Sequence, residues 1–138
     1  MPRIALVLLM LHIFVVPLHA AEKVEGYVYL RIFDAVTVLP SECIFDVSTV
    51  AHGASFVCAG GRVVVGNHAE LGPDFLQYVR ESAIGSLDKC GVSMVTFGKD
   101  GTHQVLVYNE NDFLISSAPP EVLELFMEVL CSSQNTAG

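Results

Sequence analysis

Hydrophobic and polar residues alternate regularly over residues 23–33, which predicts a half-buried β-strand near the start of the chain. The apolar face of this strand includes Val24, Val28, Leu30 and Ile32. The opposite face includes Tyr27, Tyr29, Arg31 and Phe33. A short apolar run over residues 36–39 extends this strand or pairs with it, and Pro40 ends the run.

The middle of the chain predicts a hairpin followed by a helix. Gly60-Gly61 separates two short apolar runs, and paired glycines in such a place indicate a tight turn because glycine tolerates positive φ. Gly72-Pro73-Asp74 predicts a helix start, since proline suits the first helical position and an aspartate complements the helix dipole. The helical spacing of apolar residues over 75–87 predicts that this helix continues to Cys90-Gly91.

The second half predicts three strands over residues 92–97, 102–108 and 113–116, joined by two polar turns, and we interpret them as an antiparallel meander. Pro119-Pro120-Glu121 then opens a terminal helix. Its predicted buried stripe is Val122, Leu125, Phe126, Val129 and Leu130. Together these elements predict an α+β fold, in which an antiparallel sheet with a C-terminal three-stranded meander carries two helices packed on one face.

Residues 1–20 have the three parts of a secretory signal peptide: one base, Arg3, then an apolar run, then a small-residue end. The alternative is a retained membrane anchor. A membrane-spanning helix needs about 20 apolar residues, whereas this run is shorter, contains His12 and is followed by Pro17. The pattern therefore favours a signal peptide.

Cleavage after Ala20 or Ala21 is predicted to release a single exported α+β domain over residues 21–131, followed by a flexible tail over 132–138. The full chain has a net charge of −8, and loss of the signal peptide removes one further base. An acidic surface without a basic patch argues against nucleic acid as a partner and against a membrane after cleavage. A protein partner, of basic character, fits this charge better.

All four cysteines lie in the predicted mature chain, and an even count in an oxidising compartment predicts two disulfides. Three pairings are possible. We favour Cys43 with Cys58, which would join neighbouring strands, and Cys90 with Cys131, which would tie the last helix to the start of the second half. The alternative is a catalytic thiol, which needs an unpaired cysteine beside a histidine.

Two local motifs match fragments of catalytic sites, and neither is complete. His68-Ala69-Glu70 has the H-x-E spacing of zinc deaminases, but the P-C-x-x-C that completes such a site is absent. Ser86-Leu87-Asp88-Lys89 has S-x-x-K spacing without the other motifs of that class. The remaining mature histidines, His52 and His103, follow no metal-ligand spacing. We therefore predict no catalytic residue, metal or cofactor, and leave open a site assembled only by the fold.

Candidate binding residues fall in three places. They are the polar face of the first strand (Tyr27, Tyr29 and Arg31), the H-x-E pair (His68 and Glu70), and the glutamate face of the last helix (Glu121, Glu124 and Glu128). Tyrosine and arginine are enriched in interface hot spots, and glutamates can meet a basic partner. Each group can equally be ordinary protein surface.

These features favour a small secreted or periplasmic binding protein, most concretely an inhibitor or immunity-type protein that occludes a secreted enzyme or toxin. A small exported hydrolase is the first alternative. An accessory subunit of an envelope complex is the second.

Overall fold

A seven-stranded antiparallel sheet forms the centre of the computed structural model, which describes residues 27–46 and 53–137. The strands are β1 (Tyr27–Ile32), β2 (Ala35–Pro40), β3 (Cys43–Phe45), β4 (Ala54–Cys58), β5 (Gly61–Asn67), β6 (Ala83–Lys89), β7 (Val92–Phe97), β8 (Gln104–Tyr108) and β9 (Asp112–Ser116). The helices are α1 (Pro73–Ser82) and α2 (Pro120–Ala137), and a 3-10 turn spans His68–Glu70. The sheet order is β3-β4-β5-β9-β8-β7-β6, while β1 and β2 pair only with each other. The predicted α+β class is confirmed.

The two helices lie on opposite faces of the sheet, so the prediction that they share one face is wrong. One core cluster joins α2 and the β1–β2 hairpin to the sheet through residues such as Leu39, Val107 and Phe126. The other joins α1 to the sheet through residues such as Val79, Phe97 and Leu106. Leu106 and Val107 are neighbours in β8 and point to opposite faces. Continuous apolar runs in β8 and β9 are typical of strands buried on both faces, which is why one-sided packing fails.

The helix α1 ends at Ser82, and residues that were predicted to continue it form strand β6 instead. Ala83 already has an extended backbone, and β6 pairs with β7 across a two-residue turn at Cys90-Gly91, where both residues have positive φ. A glycine with positive φ ends helices and also makes hairpin turns, so Gly91 fits both structures. This ambiguity caused the error.

The β1–β2 hairpin turns at Phe33-Asp34, and both residues have φ of 58°. The alternation groups Phe33 with Tyr27, Tyr29 and Arg31 on one face of the first strand, but Phe33 lies in the turn that follows β1. Its side chain is buried and meets the ring of Phe126 edge-on at 6.2 Å between centroids. The backbone N–H of Phe33 donates to Asp112 Oδ2 at 2.9 Å. These contacts of Phe33 hold the β1–β2 hairpin against the core.

Both favoured disulfides are present. Cys43 bonds Cys58 between directly paired positions of β3 and β4, and Cys90 bonds Cys131 between the β6–β7 turn and α2. The predicted tail is also corrected: α2 continues to Ala137, and Ser133 Oγ donates to the Val36 carbonyl oxygen at 3.2 Å. The predicted signal peptide and His52 lie outside the described residues.

Candidate functional site

An open groove of about 800 Å³ runs between α2 and the β6–β8 part of the sheet. It arises because the hairpin covers the other side of α2, leaving these strands uncovered on that face. Helix α2 and strand β6 follow the groove in the same direction. Pro120 and His103 mark one end, and Cys131 and Lys89 mark the other. The Cys90–Cys131 disulfide therefore holds the two walls together at that end.

The floor and walls of the groove are mainly apolar. Leu87 of β6 lies directly opposite Met94 of β7, and on the same face Thr96 of β7 lies opposite Val105 of β8. Leu123 and Met127 line the groove from α2, one helical turn apart. A cleft of this size and lining falls within the usual range of ligand-binding sites.

Charged groups stand on the rim. Glu124 and Glu128 lie one turn apart on the helix wall, and both are exposed. Among the described residues, neither glutamate has an ion pair or a side-chain hydrogen bond. Lys89 and exposed His103 stand at opposite ends of the groove. The long helix side is thus acidic, and Lys89 stands at one end of the groove.

The strand wall of the groove is an uncovered sheet edge. All residues of β6 are exposed, including Ile84 and Leu87 at 58% and 55% of their surface. Within the described part of the chain, a Cβ added at Gly85 would have open space around it. Among these residues β6 pairs with β7 only, so the backbone groups on its other edge have no strand partner.

The outer face of the β1–β2 hairpin is a separate surface. Tyr27, Tyr29 and Arg31 share this face, as the alternation of the first strand predicts, and all three are exposed; Val36 is exposed opposite Arg31. Arg31 also lines a smaller cleft of about 230 Å³ between the hairpin and the sheet. This face does not meet the groove.

The H-x-E pair lies on the α1 side of the sheet. His68 and Glu70 belong to the 3-10 turn, and the His68 ring lies 5.7 Å from that of Tyr108 between centroids. Within residues 27–46 and 53–137, no three histidine, cysteine, aspartate or glutamate side chains are grouped as metal ligands. All four cysteines form disulfides, which removes the free thiol that a thiol hydrolase needs.

Of the candidate binding residues, only Glu124 and Glu128 line the groove, while exposed Glu121 lies outside it. The sequence prediction missed the apolar lining. Leu87 was assigned to a helix, and the floor residues Met94 and Val105 were counted only as strand positions. The methionines could have indicated the groove. Apart from Met1 and Met10, the chain has only Met94 and Met127, and flexible methionines are common on adaptable binding surfaces.

No helix in the described part of the chain is both long and apolar enough to cross a membrane. No family model, curated protein or solved structure matches this chain.

Proposed function

We propose that the chain is an exported binding protein that occludes another protein, in the manner of an inhibitor or immunity protein. The groove between α2 and β6–β8 receives an apolar segment of a basic partner. The observation that carries this proposal is the open apolar groove, whose helix wall presents Glu124 and Glu128 with no ion pair to any residue that the structure describes.

Charge and covalent structure support the proposal. The net charge of −8 favours attraction of a basic protein over long distances, and Glu124 and Glu128 repeat that preference locally. Two disulfides suit an oxidising, extracytoplasmic compartment. The Cys90–Cys131 bond also ties the helix wall of the groove to the end of its strand wall.

A matched pair of substitutions tests the groove. Leu87→Asn replaces an apolar side chain inside the groove, and Ile84→Asn makes the same change in the same strand outside it. Both side chains are more than half exposed, so neither change removes a core residue. We would immobilise the mature chain and both variants, and identify captured proteins from the secreted fraction of the source cells by mass spectrometry.

The proposal predicts a basic protein that the native chain and I84N retain and that L87N loses. Raising the salt concentration should weaken its capture, because the steering charges are exposed. Equal capture by both variants would show that binding occurs elsewhere on the surface. An acidic captured protein would contradict the proposed partner chemistry.

A further inference from the structure

We propose that the partner segment binds as an extended strand added to the free edge of β6, with alternate side chains directed to the groove. This inference rests on the proposed protein-binding function and specifies its mode. The occupant is an extended segment of a basic protein in which apolar residues alternate with lysine or arginine. Main-chain hydrogen bonds would supply affinity, and the groove would select the side chains.

The first argument is the free edge itself. Sheet edges in natural proteins are usually short, covered or charged, because they otherwise pair with other chains. The opposite edge of this sheet follows that rule: β3 spans only Cys43–Phe45 and is bonded to β4 by a disulfide. Strand β6 spans Ala83–Lys89, with a bulge only near its start, and nothing in the described chain covers it.

The second argument is the alternation along β6. Leu87 and Lys89 face the groove, since they pair with Met94 and Val92 on the face that carries α2. Asp88 lies between them on the other face, so the charged residues of this edge strand are found only near its end. An added strand continues this alternation at a spacing of about 4.8 Å. Its alternate side chains would therefore extend the apolar floor beside Leu87.

The third argument is charge. If the apolar side chains of an added strand face the groove, its alternate lysine or arginine side chains face the opposite side of the sheet. Asp88 of β6 is exposed on that side. Lysine or arginine would lie beside its carboxylate, while aspartate or glutamate would be repelled.

Labelled peptides of about ten residues can test the strand mode. The probe alternates valine and lysine, and its binding to the mature chain is followed by fluorescence anisotropy. Two further peptides carry N-methyl groups on every valine or on every lysine. In an extended strand the valine N–H groups point to one edge and the lysine N–H groups to the other. Strand addition uses only the N–H groups on the edge that faces β6.

We expect one N-methylated peptide to bind about tenfold or more weakly and the other to bind like the probe. A fourth peptide has the same composition with valines at helical spacing, and it should bind weakly. Equal binding by both N-methylated peptides, or tighter binding by the helical-spaced peptide, would overturn strand addition. The L87N variant tests the groove independently of the binding mode. If the peptides exclude strand addition but L87N still loses capture of the natural partner, the proposed function stands and only the binding mode is wrong.

The charge argument has its own control. Asp88→Lys changes the face of β6 that the basic side chains would meet, whereas Glu121→Lys makes the same change in net charge on α2, outside the groove. We expect D88K to weaken probe binding several-fold more than E121K. An equal effect of both would show that the probe responds to net charge alone, and the proposed place of the segment would be wrong.

Discussion

Phe33 shows how one residue can hold an element in an unfavourable conformation. A bulky side chain with positive φ is strained, and hairpin turns of this kind usually carry asparagine and glycine. Here burial of the ring against Phe126 and the hydrogen bond to Asp112 offset the strain. The turn is therefore fixed by its tertiary contacts rather than by local preference.

Asp112→Ala should destabilise the chain, because it leaves the half-buried N–H of Phe33 without its acceptor. We expect a loss of about 1 kcal/mol in the free energy of unfolding, measured by urea denaturation. Asp88→Ala is the control, since Asp88 is exposed on β6, and surface changes of this kind usually stay within about 0.5 kcal/mol. Similar losses in both variants would show that the Asp112 contact does not stabilise the turn.

At the scale of elements, the sequence predicts the helices and strands whose ends are marked by proline or glycine. Pro73 and Pro120 each stand at the first helical position, as the sequence indicates. The turn at Gly60 and the strands on either side of it also follow from local pattern. The face of the sheet on which each helix packs does not follow from local pattern, because it depends on contacts between residues that are far apart in the sequence.

The groove could not be predicted for the same reason. Its walls come from α2 and β6, which meet only after the sheet has formed, and β6 itself carries a helical apolar spacing. The glutamates were predictable because a helical period places Glu124 and Glu128 on one side of α2. Leu87 was not, since its role depends on whether residues 83–89 form a helix or a strand.

The two disulfides should differ in their response to a reductant. Cys43 and Cys58 are fully buried, whereas Cys90 and Cys131 are half-buried at the end of the groove. Limited treatment of the native protein with dithiothreitol should therefore open the Cys90–Cys131 bond first. Alkylation followed by peptide mapping would show the order, and simultaneous labelling of all four cysteines would contradict it.

Loss of that bond should also affect stability and binding. The bonded cysteines are separated by 41 positions, for which the chain-entropy model gives about 4 kcal/mol. The paired substitution Cys90→Ala with Cys131→Ala should lower the urea midpoint and weaken probe binding. Cys43→Ala with Cys58→Ala provides the comparison: it should lower stability while leaving the affinity of the remaining folded protein unchanged.

At the scale of the whole molecule, the fold divides the sheet into covered and open regions. Helix α1 covers part of one face and leaves Ile44 and Val57 exposed there. The hairpin and α2 cover part of the other face, and the groove lies beside them. Strands β7 and β8 contribute to both sides: Val95 packs toward α1, while Met94 beside it faces the groove.

The predicted signal peptide can be tested by expressing the full sequence. Expression of the full sequence in a secreting host should yield protein outside the cell that begins at Ala21 or Glu22. Intact-mass measurement and N-terminal sequencing would identify the start, and the mass should show both disulfides closed. Recovery of the full-length chain in the membrane fraction would instead favour the anchor interpretation of residues 1–20.

The two methionines in the groove carry a further consequence for chemical ageing. Peroxide converts a thioether to a sulfoxide, which is polar and chiral. Met94 is half-buried in the groove where an apolar partner would sit, whereas Met127 is buried in the core, so Met94 should be oxidised first. Mild peroxide treatment should therefore weaken probe binding, and a methionine sulfoxide reductase should restore it. Met94→Leu with Met127→Leu, which nearly preserves side-chain volume, should retain binding after the same treatment. A protein working outside the cell would then lose its partner gradually through oxidation, without unfolding.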